Sequence, residues 1–158
     1  MKKLLSNPKK GFTLVELLIV VGIIGILATL LMANFIGVRQ RARDAQRKSD
    51  LRQIQSALEL ERSDLGSYPA ASGTAIGTCG NALSGGSPAN TYMAKIPCDP
   101  SGSSYYNSGN YFYTSSGGTT YTLGACLENT ADSQGTTTSP GGSGCTSSPA
   151  TYYVVNNP

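Results

Sequence analysis

The distribution of apolar positions divides the chain into three stretches of different period. Leu17 to Val38, LLIVVGIIGILATLLMANFIGV, is 22 consecutive residues without a charge. As a helix this run is roughly 33 Å long, close to the ~30 Å hydrocarbon thickness of a bilayer. Soluble cores rarely hold such a run, so it predicts a membrane-spanning helix. Residues 39–62 then carry no Pro and no Gly and are good helix formers. Leu51, Ile54, Leu58 and Leu65 recur at helical spacing and form one apolar stripe. Gly66 is placed as a C-cap. One helix from Phe12 to about Arg62 is therefore expected, its outer part burying Leu51, Ile54 and Leu58 on a small domain.

After Ser63 the helical period disappears. Nearly half of the last 96 residues are Gly, Ser or Thr, and all nine Tyr fall there. Such a segment suits short strands and turns with aromatic anchors. Tyr111–Thr114 and Thr119–Cys126, joined by Ser115-Ser116-Gly117-Gly118, predict a hairpin. Tyr121, Leu123 and Ala125 alternate with polar neighbours and are expected to face the helix. Thr151–Val155 is a third candidate strand, and Asp132–Ser148 predicts a loop.

Charge follows the same division. Residues 1–62 hold 11 basic and 5 acidic residues, whereas residues 63–158 hold Lys95 against Asp64, Asp99, Glu128 and Asp132. The two halves thus sum to +6 and −3, which implies two environments. Lys2, Lys3, Lys9 and Lys10 precede the apolar run without an acid. By the positive-inside rule they predict a cytoplasmic N-terminus and export of everything beyond the run. Arg39, Arg41, Arg43, Arg47, Lys48 and Arg52 form a basic belt just after it. A solvated face near the headgroups is the expectation for this belt. Contact with Asp44, Asp50, Glu59 and Glu61 of a neighbouring subunit, or with nucleic-acid phosphate, are the other readings.

The chain has no His, which excludes His-assisted hydrolysis and His-ligated zinc. No nucleophile–base pair or phosphate loop is present, and neither catalysis nor a cofactor is expected. Cys79, Cys98, Cys126 and Cys145 lie in the exported part without a Cys-x-x-Cys pair, which disfavours a metal site. Four cysteines allow three pairings. Sequential pairing, Cys79–Cys98 and Cys126–Cys145, closes two loops of equal spacing.

Glu16 stands out, because a carboxylate entering hydrocarbon costs about 2–3 kcal/mol. It belongs to the string Lys10-Gly11-Phe12-Thr13-Leu14-Val15-Glu16. A short basic leader, a Gly, and Phe-Thr-Leu-x-Glu opening an apolar helix resemble the prepilin processing site of type IV pilins and type II secretion pseudopilins. The resemblance implies cleavage between Gly11 and Phe12 by a prepilin peptidase and N-methylation of Phe12. It implies that Glu16 pairs with the Phe12 amine of a neighbouring subunit during filament assembly. It also implies an α+β fold, a long N-terminal helix packed on a small antiparallel sheet. The corresponding segments are a leader over 1–11, a membrane and filament-core helix over 12–38, its amphipathic continuation over 39–65, and an exported β-rich domain over 66–158.

Tyr68-Pro69, Tyr92-Met93, Ile96-Pro97-Cys98-Asp99-Pro100 and Tyr105-Tyr106 resemble the connection between helix and sheet in the same family. Two departures stand beside the match. The Pro that many members carry near the position of Ala33 is missing. The pseudopilin calcium loop is not evident, since only Glu128 and Asp132 are available there. The implied function is a structural subunit of a type IV pilus or pilus-like filament for adhesion, motility or DNA uptake. A pseudopilin of a type II secretion or competence machine is the alternative. Implied partners are further pilins, the processing enzyme, the membrane and an assembly platform. Nucleic acid is the weaker partner, because the basic belt lies near the filament core in the family arrangement. The expected location is a single-pass membrane protein that becomes an extracellular filament.

Overall fold

The structure is a computed structural model, and it describes residues 11–71, 75–102, 107–141, 145 and 150–158, with the side chains of 33, 34 and 107 left aside. The lysine leader before Gly11 and the Tyr105-Tyr106 pair lie outside the described residues. One helix, α1, runs Leu14–Leu65, through Gly22, Gly25 and Gly37. It stops at Gly66, whose φ of 78° is left-handed and whose N–H returns to the Arg62 carbonyl at 2.8 Å. Only glycine adopts that angle without strain, so the chain turns off the helix there. The chain divides into two compact units at Val38/Arg39.

In the first unit, Leu14–Met32 is a 19-residue stretch of mean hydropathy 2.8 with none of it buried. Its large apolar side chains all face outward, from Val20 at 52% exposed to Leu14 at 77%. An unburied surface of this kind is stable only against lipid or other apolar helices.

The second unit holds the outer part of α1 and two small antiparallel sheets. β1 (Leu83–Gly85) pairs with β2 (Asn90–Met93). β3 (Phe112–Ser116), β4 (Thr120–Leu127) and β5 (Thr151–Asn156) form a meander in that order. β3 runs two residues further than the pattern predicts before the hairpin turns. Ser115 and Ser116 continue the strand against Tyr121 and Thr120. The reversal falls on Gly117 and Gly118, both with positive φ. Two adjacent left-handed residues match the strand twist, which is why the glycine pair rather than the serine pair sets the turn.

Leu51, Ile54 and Leu58 of α1 are wholly buried against Tyr113, Tyr121, Leu123, Leu127 and Val155. Each such aliphatic side chain contributes about 1.5–3 kcal/mol of burial. Leu65 departs from the expected stripe. It is 42% exposed and lies against Gly85 and Gly86 at the edge of the β1–β2 hairpin.

The other face of the three-stranded sheet is also covered. Phe112, Cys126 and Tyr152 form a second buried cluster beside Cys145, Ala150 and Val154. The segment after β4 supplies the cover. It bridges Thr136 to Tyr152, seats Pro140 on Gly124, and is closed by the Cys126–Cys145 disulfide. A methyl group on Gly124 would come within 2.4 Å of Pro140 Cγ, so the close approach requires glycine. Cys79–Cys98 ties the start of the β1–β2 region to the segment behind it.

Candidate processing and assembly site

Gly11, Phe12 and Thr13 precede α1 without regular secondary structure and are exposed, Phe12 at 89%. Gly11 has no described atom within 4 Å of the position of a Cβ. Thr13 is the N-cap. Its Oγ1 accepts the Glu16 N–H at 3.2 Å, and its own N–H donates to Glu16 Oε2 at 2.9 Å. The Thr13 hydroxyl donates to the same oxygen at 2.9 Å. This reciprocal pair is a capping box, which satisfies two helix-end donors that apolar surroundings would leave costly. Glu16 therefore does two things at once: it closes the first turn and it carries a carboxylate at the apolar end of the chain. Glu16 stands out in the sequence by its charge, whereas Thr13 does not. The Thr-x-x-Glu spacing was the signal that could have found it.

The basic belt is not the solvated face that its sequence predicts. Arg39, Arg41 and Arg52 are exposed, but Arg47 is completely buried. Arg47 Nε and Nη2 donate to Asp99 Oδ2 and Oδ1 at 2.7 and 2.9 Å, and Nη1 donates to Asp44 Oδ1 at 2.7 Å. Nη2 also reaches Ser101 Oγ at 2.7 Å, and Nη1 lies 2.9 Å from Glu128 Oε1. Arg43 pairs with Glu128 as well, and Lys48 Nζ binds both Asp132 oxygens at 2.7 and 2.8 Å. Half of the belt thus fastens the helix to its own domain. Asp44 faces inward too, accepting the Glu128 and Asn129 N–H groups at 3.0 and 2.8 Å. Asp50 accepts Tyr111 Oη at 2.7 Å, and Glu59 accepts the Tyr68 and Tyr121 hydroxyls. Glu61 is buried as well. The alternative reading, in which these four acids meet the belt of a neighbouring subunit, is not what the structure shows: Asp44, Asp50 and Glu59 are bonded within this chain and Glu61 is buried in it.

The electrostatics follow from these contacts. Burial alone would lower the Arg47 pKa, but Asp99, Asp44 and Glu128 hold it above its ordinary value. The Arg43 hydrogen bond, against burial and together with Arg47, holds Glu128 down at about 2. Lys48 lowers Asp132. Glu128 and Asp132 are thus engaged by the cations of α1, and no group of three metal-ligating residues occurs among the described residues.

An apolar helix opening from a capped Gly-Phe-Thr-Leu-x-Glu segment and running into a small disulfide-bonded α+β domain is the architecture of a pilin-like protein. A family model described as the prokaryotic N-terminal methylation motif matches residues 6–32. Type II secretion system core protein G of Pectobacterium carotovorum subsp. carotovorum is 32% identical over 101 residues, covering 61% of this chain and 65% of that protein. The core protein G of Klebsiella pneumoniae is 31% identical over 106 residues, covering 61% and 72%. Type IV major pilin protein PilA of Myxococcus xanthus is 46% identical over 52 residues, covering 32% and 24%. The match spans just under two thirds of the Pectobacterium protein. No solved structure matches the chain. The chain belongs to the type IV pilin and pseudopilin family.

Proposed function

We propose that this protein is a structural subunit of a type IV pilus or pilus-like filament. It is made as a precursor whose residues 1–11 remain in the cytoplasm. It is cleaved between Gly11 and Phe12 and methylated on the new Phe12 amine. Residues 12–38 hold it in the membrane until assembly, and residues 66–158 lie outside. In the filament Glu16 pairs with the Phe12 amine of a neighbour. A carboxylate and an ammonium are each costly in lipid, and joining them in low dielectric offsets much of both costs. Methylation keeps the amine charged, so the pair survives it.

The observation that carries this reading is the exposed Gly11–Phe12 junction followed by a capped apolar helix with no covering of its own. Mass spectrometry of the mature protein is expected to begin at an N-methylated Phe12. Glu16→Val is expected to remain in the membrane while sheared filament yield falls at least tenfold. A mature chain beginning elsewhere, or full yield from Glu16→Val, overturns the proposal.

The second reading is a pseudopilin of a type II secretion or competence machine, favoured by the relatives named core protein G. Deletion separates the two. Loss of surface fibres with secretion intact supports the pilus, and loss of secretion with fibres intact supports the pseudopilin.

A further inference from the structure

The last turn of α1 places Glu61 beneath the β1–β2 hairpin. The residue is 3% exposed, and its Oε2 is buried without a hydrogen-bond partner among the described residues. The hairpin backbone closes on it: a Cβ at Gly85 would lie 2.6 Å from Glu61 Oε1 and 3.0 Å from Leu65 Cδ1. Among the described residues, the ionisable groups facing Glu61 from the packed elements are acids or tyrosines. On its own helix the next ionisable group toward the hairpin is Asp64. β1 contributes the Gly85 backbone. β2 contributes Tyr92, whose hydroxyl is buried and is held more strongly protonated by burial and by the charges of Asp64 and Glu61. β3 contributes Tyr113, pushed up to about 12 by burial, with the Glu61 charge adding to it. Arg62, the adjacent cation, is engaged with the Tyr68 hydroxyl at 2.8 Å. Among the described residues no cation compensates Glu61, and burial raises its pKa.

We propose that Glu61 makes the seat of the β1–β2 hairpin proton-dependent: the neutral acid holds the hairpin on the end of α1, and the carboxylate releases it. An acid whose pKa is raised by folding contributes most below its unfolded value. That contribution is lost as pH rises through the raised value. The rest of the domain is fastened by Arg47, Glu128 and the disulfides, so release is confined to the hairpin and leaves β3–β4–β5 closed.

The test is amide hydrogen exchange of the full chain in detergent micelles between pH 5 and pH 8, corrected for intrinsic rates. Wild-type protection at Leu83, Thr91 and Met93 is expected to fall roughly threefold or more with rising pH, while protection at Leu123 stays level. Glu61→Gln is expected to hold the hairpin at its low-pH protection throughout. A pH-independent wild type, or a Glu61→Gln protein that keeps the wild-type dependence, overturns the proposal. If the variant does not fold, carboxyl-carbon NMR of the wild type decides. A Glu61 midpoint above the ordinary glutamate value supports the proposal, and one at or below it refutes it.

Discussion

Replacing Arg47 with Met keeps much of the side-chain volume and removes the guanidinium from a site with no exposure. Asp99 would lose both Arg47 hydrogen bonds and keep the Ser101 N–H at 2.8 Å. Asp44 would lose its ion pair and keep the N–H groups of Glu128 and Asn129. Glu128 would keep Arg43. Two carboxylates, 2% and 6% exposed, would thus remain without a cation. Breaking a buried pair in this way costs about 3–5 kcal/mol, because the stranded charge is worse than no pair at all. That is a large share of the 5–15 kcal/mol that holds a typical domain, and it translates to a melting temperature lower by roughly 10–20 °C. The near-ultraviolet tyrosine signal reports the domain separately from the apolar helix. Thermal melts of the full chain in detergent, with disulfides intact, are the assay, and Arg41→Met at an exposed site is the control. A loss under about 1 kcal/mol at pH 7 refutes the reasoning.

Two further outcomes rest on the same domain. Glu128, held at about 2 against an ordinary 4.5, contributes stability that is complete above pH 4.5 and is lost as pH falls through 2. Glu128→Gln is therefore expected to lower stability at pH 7 and to flatten the acid limb of a melt series. Cys126→Ala with Cys145→Ala opens a loop of 19 residues' separation and is expected to cost about 3 kcal/mol. Limited proteolysis between Gln134 and Gly141 is the sensitive readout for that variant, since this segment covers the outer face of the sheet.

How much could be read from residues alone differs by element. The apolar run and the Phe-Thr-Leu-x-Glu string are local signals, and the helix that carries them is legible without tertiary information. Leu51, Ile54 and Leu58 are legible for the same reason, since a period of 3.6 over one helix marks a face. Leu65 shares the period but lies where the domain ends, so its burial depends on a hairpin that the sequence signals only weakly. Arg47 illustrates the larger difficulty. Within the chain it looks like one member of a basic belt, and its burial depends on Asp99 and Glu128, 52 and 81 positions away. The double-sided burial of β4 was equally hidden, because it depends on Pro140 finding Gly124. Thr13 is a different case: its partner is three residues away, and the spacing was there to be read.

The inward use of charge has a consequence for how the domain meets its surroundings. Beyond the helix, Asp99, Glu128 and Asp132 are all taken up by cations of α1. What that stretch turns outward is dominated by threonine, serine and glycine rather than by ions. Such a coat offers little for added salt to screen, so whatever touches it will do so through shape and hydroxyl hydrogen bonds, with an affinity nearly indifferent to ionic strength.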